Sequence, residues 1–249
     1  DFIGATPELH DTYEGIGLDE NGALNGRIFE AATPFLLQSI GPILFDPAAI
    51  ARGADTYFTI LREAGVTTTA DLGYGVFGRA IEDPVIAANW SQDRNAFKLH
   101  LVPEFRALAD EFGEEAPSAV AQKVYGEIAT AAPDMPRVKF FTDAAFYSQT
   151  MRLSQPGYLS GQSEGTEGLW VLEPDEIAPT IWPYWEAGLS VHIHSNGDAA
   201  QTATLNALTE LRPANPDSDF VIEHGGLFSP AQVRQAADLN AMVSAASHY

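Results

Sequence analysis

The sequence predicts an α/β protein with a parallel sheet and helices outside it, read as most of a (β/α)8 TIM-type barrel. Three observations carry that reading. From Asp46 onward, short apolar or β-branched runs alternate strictly with longer helical stretches, the pattern of βαβ units. Asp46-Pro47 and Ser229-Pro230 repeat one helix-start signal, a capping side chain followed by proline at the first helical position. Six strand candidates can be counted where a closed barrel of this type needs eight, so the first and last strands are expected to lie outside the chain. An open doubly wound sheet is the alternative architecture.

Residues 1–45 are the least regular part and are read as an arm or insertion of the barrel domain, which itself occupies 46–249. Within the arm, Leu18-Asp-Glu-Asn-Gly22 carries an Asn-Gly turn signal and Gly26-Arg-Ile-Phe29 is the returning strand of a hairpin. The first helix is predicted from Asp46 to about Ala64, with Gly65 as its stop. Strands are predicted over Val66–Leu72, Phe97–Val102, Arg137–Asp143, Leu189–His194, Asp219–His224 and Ala241–Ala246. Helices are expected around 79–93, 117–132, 174–187, 199–211 and 230–239. Residues 144–173 interrupt this rhythm. The connection holds Phe146, Tyr147, Met151, Arg152, Tyr158 and Trp170, too aromatic for a linker, and is read as a loop that covers substrate.

Composition narrows the function classes. Thirteen Lys plus Arg against 34 Asp plus Glu, a formal charge of −21, argue against a nucleic-acid or anionic-membrane partner. A small-molecule substrate is the expected partner, and a homodimer is left open. With no cysteine there is no disulfide framework and no thiolate nucleophile or ligand. Neither a bilayer-length apolar run nor a signal-peptide pattern is present, which leans toward a cytoplasmic protein. The opening at Asp1 and the stop at Tyr249, just after a strand, suggest a piece of a longer protein.

Three strand ends collect groups suited to metal chemistry. Lys139, one of three lysines, lies mid-strand between Val138 and Phe140. A buried lysine is costly unless paired or chemically changed. It either pairs with a carboxylate such as Asp143, becomes a carbamate bridging two metals, or serves as a neutral amine forming a Schiff base. In Leu189-Ser-Val-His-Ile-His-Ser-Asn-Gly-Asp198, His192 and His194 share a face opposite Leu189, Val191 and Ile193. His194 at the strand end is the candidate ligand, His192 sits deeper and supports it, and Asp198 is a helix cap. In Glu223-His-Gly-Gly226, His224 ends another strand and the glycines leave room for a ligand. Neutral imidazole suits zinc and similar metals.

The order Val138-Lys-Phe-Phe-Thr-Asp143, His194-Ser-Asn-Gly-Asp-Ala199 and Ile222-Glu-His-Gly-Gly-Leu-Phe-Ser-Pro230 resembles the amidohydrolase superfamily. Within it, the chain is similar to the branch of N-substituted formamide deformylases and related metal-dependent hydrolases, as are Asp19–Glu30 and Leu61–Thr69. The resemblance implies a (β/α)8 barrel, present here from its second strand to its seventh, and one or two divalent metals, commonly zinc. It further implies that His194 and His224 are metal ligands and that Lys139 is the lysine carbamylated in many members. His248 falls where the branch places a substrate-pocket histidine, and Arg152 and Tyr158 of the long loop are candidate substrate contacts. The first-strand His-x-His pair and the eighth-strand aspartate, the expected general base, have no counterpart, so the catalytic residue is expected outside this chain. The implied activity is hydrolysis of an amide or formamide C–N bond by metal-activated water. A Schiff-base lyase or aldolase using Lys139, or a non-catalytic ligand-binding barrel, are the alternatives.

Overall fold

A computed structural model describes residues 3–12, 15–29, 32–122 and 136–246. The chain divides into two compact units, Asp1–Phe58 and Thr59–Tyr249.

In the first unit the anticipated hairpin is present. Strands β1 (Ile16–Leu18) and β2 (Leu24–Ile28) pair antiparallel, with Ile16 opposite Ile28 and Leu18 opposite Leu24. Asp19 explains the turn: its Oδ1 accepts the Asn21 and Ala23 amides at 2.9 Å, and Gly22 takes φ +78°. A helix follows where the sequence pattern is irregular, α1 (Thr33–Leu44). It has no side-chain cap, and Gly41 and Pro42 break its interior pattern; Pro34 in its first turn is the one start signal it carries. The next helix, α2 (Pro47–Glu63), starts as expected, with Asp46 Oδ2 accepting the Ala49 amide at 2.9 Å.

The second unit is mixed α/β with parallel sheets. Strands β3 (Thr68–Tyr74) and β4 (Lys98–Pro103) form one parallel pair. Strands β5 (Arg137–Phe141), β6 (Ser190–Ser195), β7 (Phe220–His224) and β8 (Met242–Ala245) form a four-stranded parallel sheet in that order. A parallel bridge between Glu104 and Lys139 joins the end of β4 to β5. Each strand thus lies beside its predecessor, with no reversal of order such as a doubly wound sheet shows. The order is that of a barrel wall, and the described strands do not close it.

Helices α3 (Arg79–Asn89), α4 (Gln92–Asn95), α5 (Phe105–Phe112), α6 (Ala116–Ala121), α7 (Pro174–Glu186), α8 (Asp198–Leu211) and α9 (Pro230–Asp238) occupy the connections. Most match the predicted stretches within a few residues. Helix α5 falls outside those stretches, although Glu104 caps it through the Ala107 amide at 3.0 Å. The expected helix at 117–132 is seen as α6, and residues 123–132 lie outside the described residues. Among the described residues, no helix is long and apolar enough to cross a membrane.

Alternation along β5, β6 and β7 builds two surfaces. Val138, Phe140, Val191, Ile193, Phe220 and Ile222 are fully buried, as are Ile177, Ile181, Leu205 and Leu208 of α7 and α8. Phe140 stacks on Phe105 with centroids 5.1 Å apart and meets Tyr184 edge-on at 5.4 Å. Trp185 packs against Phe220 and satisfies its indole N–H on the Leu211 carbonyl at 2.8 Å. The opposite faces carry Lys139, His192, His194 and Glu223, all buried. Such polarity inside a sheet buried on both faces is costly, and it marks the site.

Candidate metal centre

The polar groups gather at the carboxyl ends of β5, β6 and β7. Register places Lys139 beside His192, Phe141 beside His194, and His194 beside Glu223. His224, the last residue of β7, takes φ +73°, a left-handed conformation rare outside glycine. That turn of the backbone departs from strict alternation, and the His224 ring lies edge-to-face with His194, centroids 4.6 Å apart. Observed strain at a candidate site is a functional signal.

His194 Nε2 has the Ala144 carbonyl and the Asn196 amide nitrogen each at 3.1 Å. Burial, helped by the charges of His224 and Lys139 and opposed by the Ala144 contact, pushes its pKa down to about 3. The ring is therefore neutral, the form that ligates metals. Between the ordinary value of 6.5 and about 3, the unfolded chain binds a proton that the folded ring refuses, so stability falls as pH falls through that window. In metal-free protein, the drop in Tm between about pH 7 and about pH 5 is expected to shrink in His194→Gln. An unchanged drop assigns the acid sensitivity to other groups.

Lys139 is 2 % exposed, and its Nζ has no hydrogen-bond partner. Burial lowers its pKa to about 8, against the opposing pull of Glu223. The anticipated pairing with Asp143 is absent. Asp143 is instead consumed by backbone: its Oδ1 accepts the Asn196 amide at 2.9 Å, and its Oδ2 accepts those of Arg152 at 2.8 Å and Gly197 at 2.9 Å. His192, the deeper histidine, is held through Nδ1 by Glu223 Oε1 at 2.6 Å, with Nε2 buried and unpartnered. Burial works against charge on Glu223, but His192, Ser244 and Lys139 hold its carboxyl below the usual value.

Two smaller expectations change. Asp198 is the first residue of α8 and Gly197 its cap; the Asp198 carboxylate accepts the Ser154 amide at 2.9 Å and the Ser154 hydroxyl. Burial opposes its charge, yet these bonds and helix backbone amides keep its pKa low. The glycines after His224 face packed neighbours rather than open space: a Cβ on Gly225 would lie 3.0 Å from Val243 Cγ1 and 3.1 Å from the Phe228 ring. A Cβ on Gly226 would lie 3.0 Å from Asn196 Oδ1, and Leu227 donates to the Asn196 carbonyl at 2.8 Å.

The long loop is a built structure. Leu153 donates to Glu167 at 2.7 Å, Tyr158 to Thr166 at 2.9 Å, and Gly165 to Tyr158 at 2.9 Å. Arg152 reaches Glu167 at 2.6 Å and the Gly168 carbonyl at 3.2 Å, and its guanidinium lies over Trp170. Tyr158 donates its hydroxyl to Met151 at 3.1 Å. Both proposed substrate contacts thus have partners inside the loop. His248 lies outside the described residues. The loop meets the β6–α8 turn so closely that a Cβ on Gly197 would fall 1.7 Å from the Arg152 carbonyl oxygen. Gly197→Ala, at an ordinary φ of −74°, is expected to lower stability by roughly 1–3 kcal/mol or more, read by denaturant titration.

The donors present fit a divalent cation in kind: two imidazoles on adjacent strand ends, one of them neutral by burial, beside an orphaned buried amine. Among the described residues, no group of three or more His, Cys, Asp or Glu side chains is placed to hold a metal. His194 and His224 would supply ligands, with the buried, unpartnered Lys139 Nζ and Asn196 Oδ1 as further polar atoms nearby. Sequence reasoning singled out His194, His224 and Lys139 and missed the Glu223–His192 pair. Its signal was Glu223 at the same strand face as Val221.

The overall arrangement has known counterparts. Uncharacterized metal-dependent hydrolases from Pyrococcus furiosus and Pyrococcus horikoshii OT3 superpose with TM-scores of 0.63 and 0.62. The first is 19 % identical and the match covers 98 % of this chain and 46 % of that one; the second is 18 % identical, covering 91 % and 42 %. The fold is shared with these hydrolases. In sequence, the exoenzymes regulatory protein AepA of Pectobacterium carotovorum subsp. carotovorum is 31 % identical over 103 residues, 40 % of this chain and 20 % of that protein. The chain spans a fifth of that relative and less than half of each solved structure. No family model matches.

Proposed function

We propose that this chain carries part of the active site of a metal-dependent hydrolase acting on an amide or formamide C–N bond. The observation that carries the reading is the His194–His224 ring pair at 4.6 Å beside an unpartnered, buried Lys139. The shared fold of the two Pyrococcus proteins supports it. Zinc is the favoured ion because imidazole is among its preferred ligands. When bound, such a cation supplies Lewis-acid polarisation of a carbonyl and a water of pKa near 7.

The chain's own residues do the rest. His194 and His224 would hold the ion. The Lys139 amine, with its pKa lowered to about 8 by burial, would add to carbon dioxide, forming an N–C bond and releasing one proton, and the carbamate would be a further oxygen donor for the ion. Glu223 fixes the tautomer and orientation of His192 beneath them. Arg152 and Tyr158 of the loop 144–173, which follows the end of β5, and His248 are the proposed substrate contacts.

Elemental analysis of purified protein, with anomalous scattering at His194 and His224, tests the reading together with a panel of N-substituted formamides and amides. Stoichiometric zinc, iron or manganese and chelator-sensitive hydrolysis are expected. Absence of metal with chelator-insensitive behaviour overturns it. The bare Nζ of Lys139 favours one second reading, a Schiff-base lyase or aldolase. Borohydride trapping of a carbonyl compound on Lys139 separates the two.

A further inference from the structure

Arg106 lies against Phe141, beside this site, and the mechanism above does not use it. It follows the carboxyl end of β4, and its side chain is 53 % exposed. Three contacts hold it in place. Its Nε donates to Glu104 Oε1 at 2.7 Å, and its Cζ lies 5.4 Å from the Phe105 ring centroid and 5.5 Å from that of Phe141. Glu104 is itself fixed, buried at 2 % exposure and bound to the Ala107 amide. Neither Nη nitrogen has a hydrogen-bond partner among the described residues. A guanidinium restrained at Nε and packed on two rings, with both Nη groups free, is a fork already set for a planar anion.

Its position relates it to the candidate centre. The same Phe141 ring has Lys139 Nζ at 5.1 Å and the His194 ring at 5.4 Å, so one aromatic side chain separates Arg106 from both. A substrate whose reacting amide lies at His194 and Lys139 has a carboxylate a few bonds away within reach of the fork. In a chain of charge −21, an anionic substrate is repelled by the general field, and a local cation is what admits one.

We propose that Arg106 is a substrate-binding residue that pairs bidentately with a carboxylate, so that the substrates are amides bearing a nearby carboxylate group, of the N-acyl amino acid type. The proposal rests on the hydrolase reading for the reacting bond but not for the anion contact. The test compares N-acetylglycine with its neutral counterpart N-acetylglycinamide on the full chain, by NMR binding titration and by assay of hydrolysis. Wild type is expected to bind the carboxylate at least about tenfold more tightly. Arg106→Gln should abolish that preference while leaving N-acetylglycinamide binding unchanged. Because Arg106→Gln leaves buried Glu104 without its cation, Arg106→Lys, which keeps a charge without the fork, is measured alongside. It should lose at least about threefold of the preference. No preference in wild type, or a preference that persists in both variants, overturns the proposal. Preference without hydrolysis of either compound keeps the anion contact and overturns N-acyl amino acids as substrates, while the metal analysis above decides the hydrolase reading separately. Hydrolysis without preference overturns the anion contact and keeps the hydrolase reading.

Discussion

His224→Gly is expected to abolish metal retention while leaving the fold nearly as stable as wild type. Loss of a residue that merely supports a ligand typically costs about 10–100-fold in metal affinity or activity, so loss of a ligand should exceed the upper figure. Stability is expected to change far less than in a normal core deletion. His224 sits at φ +73°, where a side chain costs roughly 1–2 kcal/mol and glycine costs little. Relief of that strain offsets the missing packing of the ring and the added freedom of the unfolded chain, leaving a net change within about 1 kcal/mol. His194→Ala should lose metal as completely, but its ring is buried against Phe141, and stability should fall with it. The pair is read by zinc titration of the apoprotein and by chemical denaturation. If His224→Gly keeps wild-type metal affinity, the strained histidine is not a ligand and the proposed centre fails.

The same residue shows where sequence reading runs out. The run Phe220–His224 announces a buried strand, and its alternation places Val221 and Glu223 on one face and Ile222 on the other. Continued strictly, that pattern turns His224 away from Glu223. The left-handed backbone that brings it against His194 has no signature except the glycines that follow. The strands, their parallel sense and most helices were legible because periodicity and caps are local. Helix α5 was hidden because its cap, Glu104, is not among the usual Ser, Thr, Asp or Asn capping residues. Lys139 was recognisable as a misfit from its apolar neighbours, but its partner was not. Asp143 shares its face two residues later and is the obvious candidate, and only tertiary structure reveals that three backbone amides have taken it.

That capture makes Asp143 the residue whose loss should damage the fold most. Its carboxylate is fully buried and joins three segments at once: the end of β5, the loop at Arg152, and the β6–α8 turn at Asn196 and Gly197. Asp143→Ala strands three amide donors, each worth about 1–3 kcal/mol when buried without a partner, and a loss of roughly 3 kcal/mol or more is expected. Asp143→Asn is the sharper test because it keeps shape and volume. An amide has one accepting oxygen. Facing Asn196, that oxygen leaves an NH₂ group opposing the Arg152 and Gly197 amides; turned around, the NH₂ opposes Asn196. Either way donor meets donor, so the isosteric change should cost nearly as much as alanine. The damage should also be local before it is global. With the clamp gone, the Ser154–Asp198 hydrogen bonds still tie that part of the loop to the turn, and limited proteolysis should cut within 144–173 at protease levels that leave wild type intact. His194 lies 3.6 Å from the same carboxylate, and its neighbour Asn196 hangs from it, so metal affinity should fall as well. An Asp143→Asn protein with a wild-type denaturation midpoint and an uncut loop would show that the backbone amides are held by something other than this charge.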